Sequence, residues 1–478
     1  MHCGENEEKM GKHTELTDGG LRSLVGTRKF YKKVLLVAVP IMIQNGITNF
    51  VSLLDNIMVG QVGTEQMSGV AIANQLVFIF NLCIFGAVAG AGILGAQFYG
   101  SGNSEGVRDT FRFKLLFGVI LSAIFAVIFL TVGEPLIQQF IHQGEGIGDL
   151  EATRSYGKAY LEVIVIGILP FALTQCYSGT LRETGETVIP MIAGIIAVLV
   201  NLVFNYILIF GKLGAPELGC VGAAIATVLS RFVELAIVAG WTHKHVARNP
   251  FIRGALRSFK IPGSLLKQII AIGLPLFINE LMWSFGITFM TQCYSVRGLE
   301  VVAAFNIANT ISNVFNVVFL SLGNSVGIII GQMLGAGRLE EAKREDKQLI
   351  AFSVFCCFLT GAMLILLSPF FPRMYNTEEI VKELATQLIF ITGCCQPLYG
   401  FVHGTYFTLR AGGKSVVTFL FDSAYMWVLP IPIVFLLARF TAIPVQLVYL
   451  LAELSNLIKC IVGYVLVKRG VWIKNIVD

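Results

Sequence analysis

Residues 70–102 read VAIANQLVFIFNLCIFGAVAGAGILGAQFYGSG, and residues 305–337 read FNIANTISNVFNVVFLSLGNSVGIIIGQMLGAG. The two lie on each other at a constant offset of 235. Ile72-Ala73-Asn74 falls on Ile307-Ala308-Asn309, Phe80-Asn81 on Phe315-Asn316, and Gly92, Gln97, Gly100 and Gly102 on Gly327, Gln332, Gly335 and Gly337. The register holds without a gap over 40–117 and 275–352, placing Pro40 on Pro275, Gly63 on Gly298 and Glu65 on Glu300. Further on, Pro170 answers Pro397, and Leu181-Arg182-x-x-Gly185 answers Leu409-Arg410-x-x-Gly413. A long hydrophobic chain built from two copies of one unit points to a transporter whose halves rock around a shared cavity.

Composition leads to the same class. Hydrophobic residues make up 55% of the 478 and charged residues only 14%, against about 25% charged in soluble domains. A soluble chain of this length would split into several water-faced domains, and the polar surface for them is lacking. The ten cysteines form no C-x-x-C pair and no metal-like spacing; Cys356-Cys357 and Cys394-Cys395 sit in apolar runs, where cysteine acts as a small hydrophobe. No nucleophile–base motif or phosphate-cradling loop argues for an enzyme, and no cofactor or resident metal is implied.

A membrane span needs about 20 mostly apolar residues. Twelve candidates lie at 34–57, 67–96, 110–132, 158–181, 187–210, 219–242, 265–293, 301–331, 349–371, 384–409, 416–438 and 443–466. With the N-terminus inside, 26 of the 35 Lys and Arg residues fall on the cytoplasmic side and seven outside. This bias predicts cytoplasmic termini. Each copy then holds an even number of spans, so the two lobes are expected to be related by a pseudo-twofold axis along the membrane normal. The expected organisation is a cytoplasmic tail (1–33), a six-helix lobe (34–242), a basic cytoplasmic linker (243–264), a second six-helix lobe (265–467) and a cytoplasmic tail (468–478). The linker reads as a segment held against anionic headgroups, not as a nucleic-acid site.

A carboxylate at mid-span costs roughly 2.5–3.5 kcal/mol, so the few present need a reason. Asp55 reads either as an interfacial residue or as a proton- or cation-binding group. Asn201 and Asn205, spaced i,i+4, share a helix face and serve either the same site or helix–helix bonding. Glu280 follows Pro275 by five residues, where a proline frees a backbone carbonyl; Asp422 precedes Trp427, Pro430 and Pro432. Gln44, Asn279, Trp283, Tyr399, His403 and Trp427 are candidates to line a substrate cavity. Pro40, Pro170, Pro275 and Pro397 are candidate hinges. Arg231 and Glu234 are expected to neutralise each other, and Glu453 and Lys459 to be balanced through neighbours.

These residues sit in stretches that resemble one family. LLDNIMVGQVG (53–63), GAQFYGSGN (95–103) with its copy GQMLGAGR (331–338), NLVFNYILIFG (201–211), GCVGAAIAT (219–227), LRAGGKS (409–415) and FDSAYMWVLPIP (421–432) occur in the order and spacing of the MATE (multidrug and toxic compound extrusion) transporters. The resemblance runs from about residue 30 to the C-terminus. It implies an all-α integral membrane fold: twelve transmembrane helices in two six-helix lobes, V-shaped around a central cavity, in the plasma or inner membrane and acting as a monomer. It implies antiport, with inward flux of H+ or Na+ driving out small amphipathic, often cationic compounds. Asp55 takes the place of the family's segment-1 aspartate, with Asn201 as its segment-5 companion and Na+ possible at Asp55 or Glu280. Two departures stand out. Asn205 replaces an aspartate found in several relatives. Trp283 occupies the place where many relatives carry glutamate, with Glu280 about 4.5 Å away along the helix on nearly the same face. The alternatives are a flippase for a lipid-linked saccharide, which would tend to line its cavity with Arg and Lys, and an exporter of one metabolite.

Overall fold

The computed structural model describes residues 24–140, 149–375 and 377–477. Among these, regular structure is entirely helical. Twelve long segments follow one another: α1 Arg28–Gly60, α2 Thr64–Gly100, α3 Ser104–Phe140, α4 Leu150–Glu183, α5 Val188–Ile209, α6 Gly219–Lys244, α7 Gly263–Ser295, α8 Leu299–Gly335, α9 Leu339–Leu367, α10 Glu379–Ala411, α11 Ser415–Phe440 and α12 Val445–Lys468. Each matches one expected span, and most run a turn or more past the apolar stretch. Eleven are long and apolar enough to cross a membrane. The other, α10, carries Gln396, His403 and Arg410 and packs among α8, α9 and α12.

The repeated glycines sit where the backbone requires them. Gly63 and Gly298, ahead of α2 and α8, have φ of 143° and 125°; Gly102 and Gly337, just after those helices, have φ of 77° and 71°. A Cβ is strained in such conformations. The four hinge candidates lie within helices that continue through them. The interrupted helix is α11, which makes a π turn at Leu420–Ala424 and stops at Leu429, because Pro430 has no N–H to continue the ladder.

Helices α1–α6 form one group, with α2 on α3 and α4, α6 on α4 and α5, and α1 on α5. In the other, α8 and α9 pack on α10, α12 packs on α10 and α11, and α7 on α11. The groups meet where α2 crosses α7 and α8, and where the first half of α1 lies on α8. The joint is at one end of the helices. A Cβ on Gly100 would strike the Gln332 carbonyl oxygen, one on Gly335 the Gln97 carbonyl oxygen, and one on Gly90 the Gly273 Cα. The side chains of the two glutamines cross the joint reciprocally: Gln97 Nε2 donates to Ala411 O at the end of α10 (2.9 Å), and Gln332 Nε2 to Glu183 O at the end of α4 (2.8 Å). Phe30, Val34 and Ile41 of α1 join Val326, Ile330 and Met333 of α8 in one buried cluster beside it.

The linker, expected against anionic headgroups, and the C-terminal tail are both docked on the helices. In the linker, Phe251 and Ala255 are buried against α3, whose Arg108 and Arg112 donate to the Phe251, Gly254 and Ala255 carbonyls. In the C-terminal tail, Trp472 is buried, the Ile476 N–H donates to Gln97 Oε1 (2.9 Å), and Gln268 donates to Ile476 O. The tail thus straps the joint. Outward faces remain apolar, with Val127, Leu130, Phe285, Phe355 and Ile461 exposed, as lipid contact requires.

The joint gives a direct prediction. Each glutamine bond is worth about 1 kcal/mol, so Gln97→Leu/Gln332→Leu is expected to move the closed-to-open ratio at this end by about tenfold or more. Spin-label distances between the α2–α3 and α8–α9 turns measure it; an unchanged distance distribution would show that the glutamines do not hold the joint.

Candidate functional site

The first group brings together Asp55, Asn201 and Asn205, for which the sequence left open a shared site or helix–helix bonding. Asp55 lies in the last turns of α1, and Asn201 and Asn205 occupy successive turns of one face of α5. Asn205 Nδ2 donates to Asp55 Oδ1 at 2.6 Å. In the amide orientation that satisfies both of its polar atoms, Asn201 presents its NH2 to Asp55 Oδ1 and Oδ2 at 3.0 and 3.2 Å, and the Thr227 hydroxyl stands on its other side. Asn205 Oδ1 is buried without a hydrogen-bond partner. Among the described residues, no Lys, Arg or His lies within ion-pair distance of Asp55. A carboxylate held by neutral amides and adjoined by an unpartnered carbonyl oxygen is a cluster able to take up a proton or a small cation.

The second group holds a larger network. Asp422, in the π turn of α11, receives Lys459 Nζ from α12 at 2.7 Å on Oδ1 and Asn279 Nδ2 from α7 at 3.1 Å on Oδ2. Asn279 is almost fully buried, and its amide is fixed because the Ser423 N–H donates to its Oδ1. The Tyr406 hydroxyl joins Asn279 to Glu280, donating to Glu280 Oε1 at 3.3 Å, and Arg410 Nη1 stands 4.0 Å from that same oxygen. Glu280 and Asp422 therefore belong to one cluster. Glu453 sits in another, accepting from Tyr399 OH and Asn456. Glu453 and Lys459 each meet neighbours and not one another: the ammonium goes to Asp422, the carboxylate to Tyr399 and Asn456.

The other candidates scatter. Gln44 accepts from Arg182 Nη2 at 2.6 Å. His403 packs on Phe319 and faces Tyr399 O. Trp427 Nε1 donates to Met282 O, whereas Trp283 is exposed on α7. Asn279 is interior structure and not a cavity wall. The i,i+3 pair Arg231 and Glu234 forms no ion pair among the described residues; Arg231 lies over Phe171 with Nη1 toward Gly167 O, because the guanidinium reaches toward α4 instead of along its own helix.

Sequence reasoning missed a further ion pair. Lys114 of α3, counted with the basic connection before it, is fully buried; its Nζ lies 2.7 and 2.5 Å from the two Glu183 oxygens and 3.1 Å from Thr180 Oγ1. Cβ atoms on Gly92 or Gly95 would collide with that carboxylate, so part of the glycine content of α2 makes room for it. Thr180 answers Thr408, which donates to the buried Asp346. That threonine pair, at the offset of the second repeat block, was the available signal.

Twelve helices in two repeated groups, joined at one end and burying acids between helices, define a two-lobe integral membrane transporter. The MatE family model matches residues 40–207 and 275–436, and the chain belongs to that family of membrane transporters. It is similar to the Thermotoga maritima protein named "Probable multidrug resistance protein NorM", with 26% identity over 412 residues, 86% of each chain. It is also similar to Multidrug resistance protein MdtK of Edwardsiella ictaluri, with 26% identity over 370 residues, 76% of this chain and 78% of that one. A structure described as the outward-facing conformation of a multidrug resistance MATE family transporter of the MOP superfamily superposes with a TM-score of 0.84 at 21% identity, covering 95% of this chain and 98% of the other.

The Lys114–Glu183 pair is expected to be structural. Lys114→Met strands a buried carboxylate and should cost about 3–5 kcal/mol, seen as a lower midpoint of thermal unfolding of the purified protein. Lys114→Met/Glu183→Leu removes both charges and should recover most of that loss; a double variant no better than the single one would refute the pairing.

Proposed function

We propose that this protein exports small amphipathic, often cationic compounds across the cell membrane by antiport against protons or sodium ions, with Asp55 as the coupling carboxylate. The observation that carries this reading is the Asp55 cluster: an acid between α1 and α5, held by amides, with no cation beside it. Asp55 can hold the coupling ion or face a cationic cargo, but not favourably both at once. Its occupancy therefore biases one lobe arrangement over another, and the difference in affinity between the arrangements supplies the coupling. Asn205 and Asn201 orient the carboxylate, and the free Asn205 Oδ1 is suited to ligate Na+ or accept a hydrogen bond from protonated Asp55.

Charge bias supports both termini being cytoplasmic. The joint at the ends of α2 and α8 is then the cytoplasmic side, and the lobes part toward the outside. This is the arrangement expected of a state releasing cargo outward, and the likeness to an outward-facing structure supports it. The names of the NorM and MdtK relatives support drug-like cargo. A flippase for a lipid-linked pyrophosphate would need free cations facing the cavity; Lys459 is spent on Asp422, Arg410 stands beside Glu280, and Arg182 holds Gln44.

The test is transport in proteoliposomes with proton and sodium gradients imposed separately, using a cationic dye as cargo. Asp55→Asn should retain expression and lower ion-driven efflux by tenfold or more, with loss of dependence on the driving gradient. Gradient-dependent efflux at the wild-type rate in Asp55→Asn would overturn the assignment.

A further inference from the structure

We infer that Lys459 is a built-in cation: its ammonium occupies the carboxylate of Asp422 and closes that acid to sodium and to cationic cargo, leaving the Asp55 cluster as the site open to an external cation. The inference rests on the antiport reading only in taking Asp55 as the cation site.

The argument starts from how completely Asp422 is used. One oxygen receives Lys459 Nζ at 2.7 Å and the other Asn279 Nδ2 at 3.1 Å. The Asn279 amide cannot turn its oxygen toward the site, because that oxygen accepts the Ser423 N–H (3.2 Å) while the Ser423 hydroxyl donates to the Asn279 backbone carbonyl (2.7 Å). A cation approaching Asp422 would therefore meet N–H groups, not oxygens. Sodium is bound by oxygen ligands, so the cluster has the wrong polarity while Lys459 is in place.

Lys459 has no comparable alternative place. The rings of Phe421 and Tyr425 lie 5.2 and 5.7 Å from its Nζ, on the same turn of α11 that presents Asp422, and aromatic faces favour an ammonium. Only 9% of the Lys459 side chain and 19% of the Asp422 side chain are accessible. A charge this deep stays where its partner is, since either ion alone would be uncompensated. Of the other charged groups nearby, Glu280 is next to Arg410 and Tyr406, and Glu453 is taken by Tyr399 and Asn456. The contrast is with Asp55, whose partners are neutral amides. The two lobes thus share an ancestry, but one acid is open to an external cation and the other holds an internal one. Lys459 is in this sense a specificity-determining residue.

The test is binding, measured without transport. Purified protein at pH 8 is titrated with sodium chloride against N-methyl-glucamine chloride, and the unfolding temperature is followed. Asp55→Asn should show no sodium-specific stabilisation. Asp55→Asn/Lys459→Met should gain a sodium-specific rise of several degrees, and adding Asp422→Asn should abolish it. Sodium stabilisation of Asp55→Asn itself, or no gain in the folded Lys459→Met protein, would overturn the inference. Should Lys459→Met not fold, isothermal titration of Asp55→Asn with sodium decides alone: a sodium ion bound there refutes the proposal, and silence supports it. Failure of the antiport reading has a different signature. Efflux independent of Asp55 would remove that reading and leave the sodium response of the Lys459 variants unaffected.

Discussion

The close approach of the lobes at the ends of α2 and α8 is the constraint on which the rest depends. Helices can come this near only without side chains, and the positions that touch are Gly90 with Gly273, Gly100 with Gln332, and Gly335 with Gln97. Once the backbones meet there, both glutamine side chains can reach a carbonyl of the opposite lobe. Those carbonyls are among the last of α4 and α10, where a helix has no intrahelical donor to offer. The joint is therefore made twice by one repeated sequence feature. Because it is confined to one end, Asp55 near the far end of α1 lies away from it, whereas Glu280 of α7 borders it, one turn beyond the Phe277 that meets Gly86. The C-terminal strap breaks the symmetry: Ile476 bonds Gln97, and the equivalent Gln332 has no such segment over it among the described contacts.

Burial of charge is handled differently in each place. Glu183 is neutralised by Lys114 and holds the foot of α4. Asp422 is neutralised by Lys459 within the second lobe. Asp346 is buried with only the Thr408 hydroxyl on one oxygen. Asp55 is met by amides. Leaving a buried carboxylate without a counter-charge is costly, and the cost falls when a proton or cation arrives from outside. An acid with a built-in lysine gains much less from such an arrival. This ordering groups Asp55 with Asp346, the two that have no counter-charge beside them among the described residues, and of the two only Asp55 is adjoined by side-chain amides.

The fold was legible almost in full, because apolar length and duplication are carried by runs of residues and tolerate errors at the ends. The positive-φ glycines and the two glutamines could be read from the repeat, although their crossing of the joint could not, since nothing in one copy says which lobe its side chains address. The Asp55, Asn201 and Asn205 cluster was legible from i,i+4 spacing and from the family resemblance together. The second lobe was not: Lys459 and Asp422 are 37 positions apart, on helices whose rotation sequence periodicity leaves open. The π turn at Leu420–Ala424 shifts the helix phase at the residue that matters, so face assignment from a regular 3.6 repeat fails there. The hinge candidates Pro40, Pro170, Pro275 and Pro397 lie inside helices that run on through them, so a proline marks a lost hydrogen bond without marking the end of a helix.

The joint and the charged clusters are contiguous. Gln332 accepts its place from the backbone of Glu183, whose own carboxylate is fixed by Lys114 and Thr180. Gln97 bonds the carbonyl of Ala411, next in chain to Arg410, which reaches the Glu280 and Tyr406 side of the Asp422 network. Contiguity becomes coupling where an element has two arrangements that both sites bias. The end of α10 touches both: its last carbonyl holds the opposite lobe, and its last basic side chain faces the buried acids. A shift of α10 within its own lobe would disturb both contacts, whereas a rigid parting of the lobes would break the Gln97 bond and leave Arg410 beside Glu280, since those two belong to the same lobe. In the first lobe the equivalent Arg182 is tied to Gln44 of α1 and not to Asp55. Asp55 is linked to the joint in two ways: along α1, which lies on α8 with its other end, and through Asn201 and Asn205 of α5, the helix that follows the end of α4 where Gln332 bonds the Glu183 carbonyl.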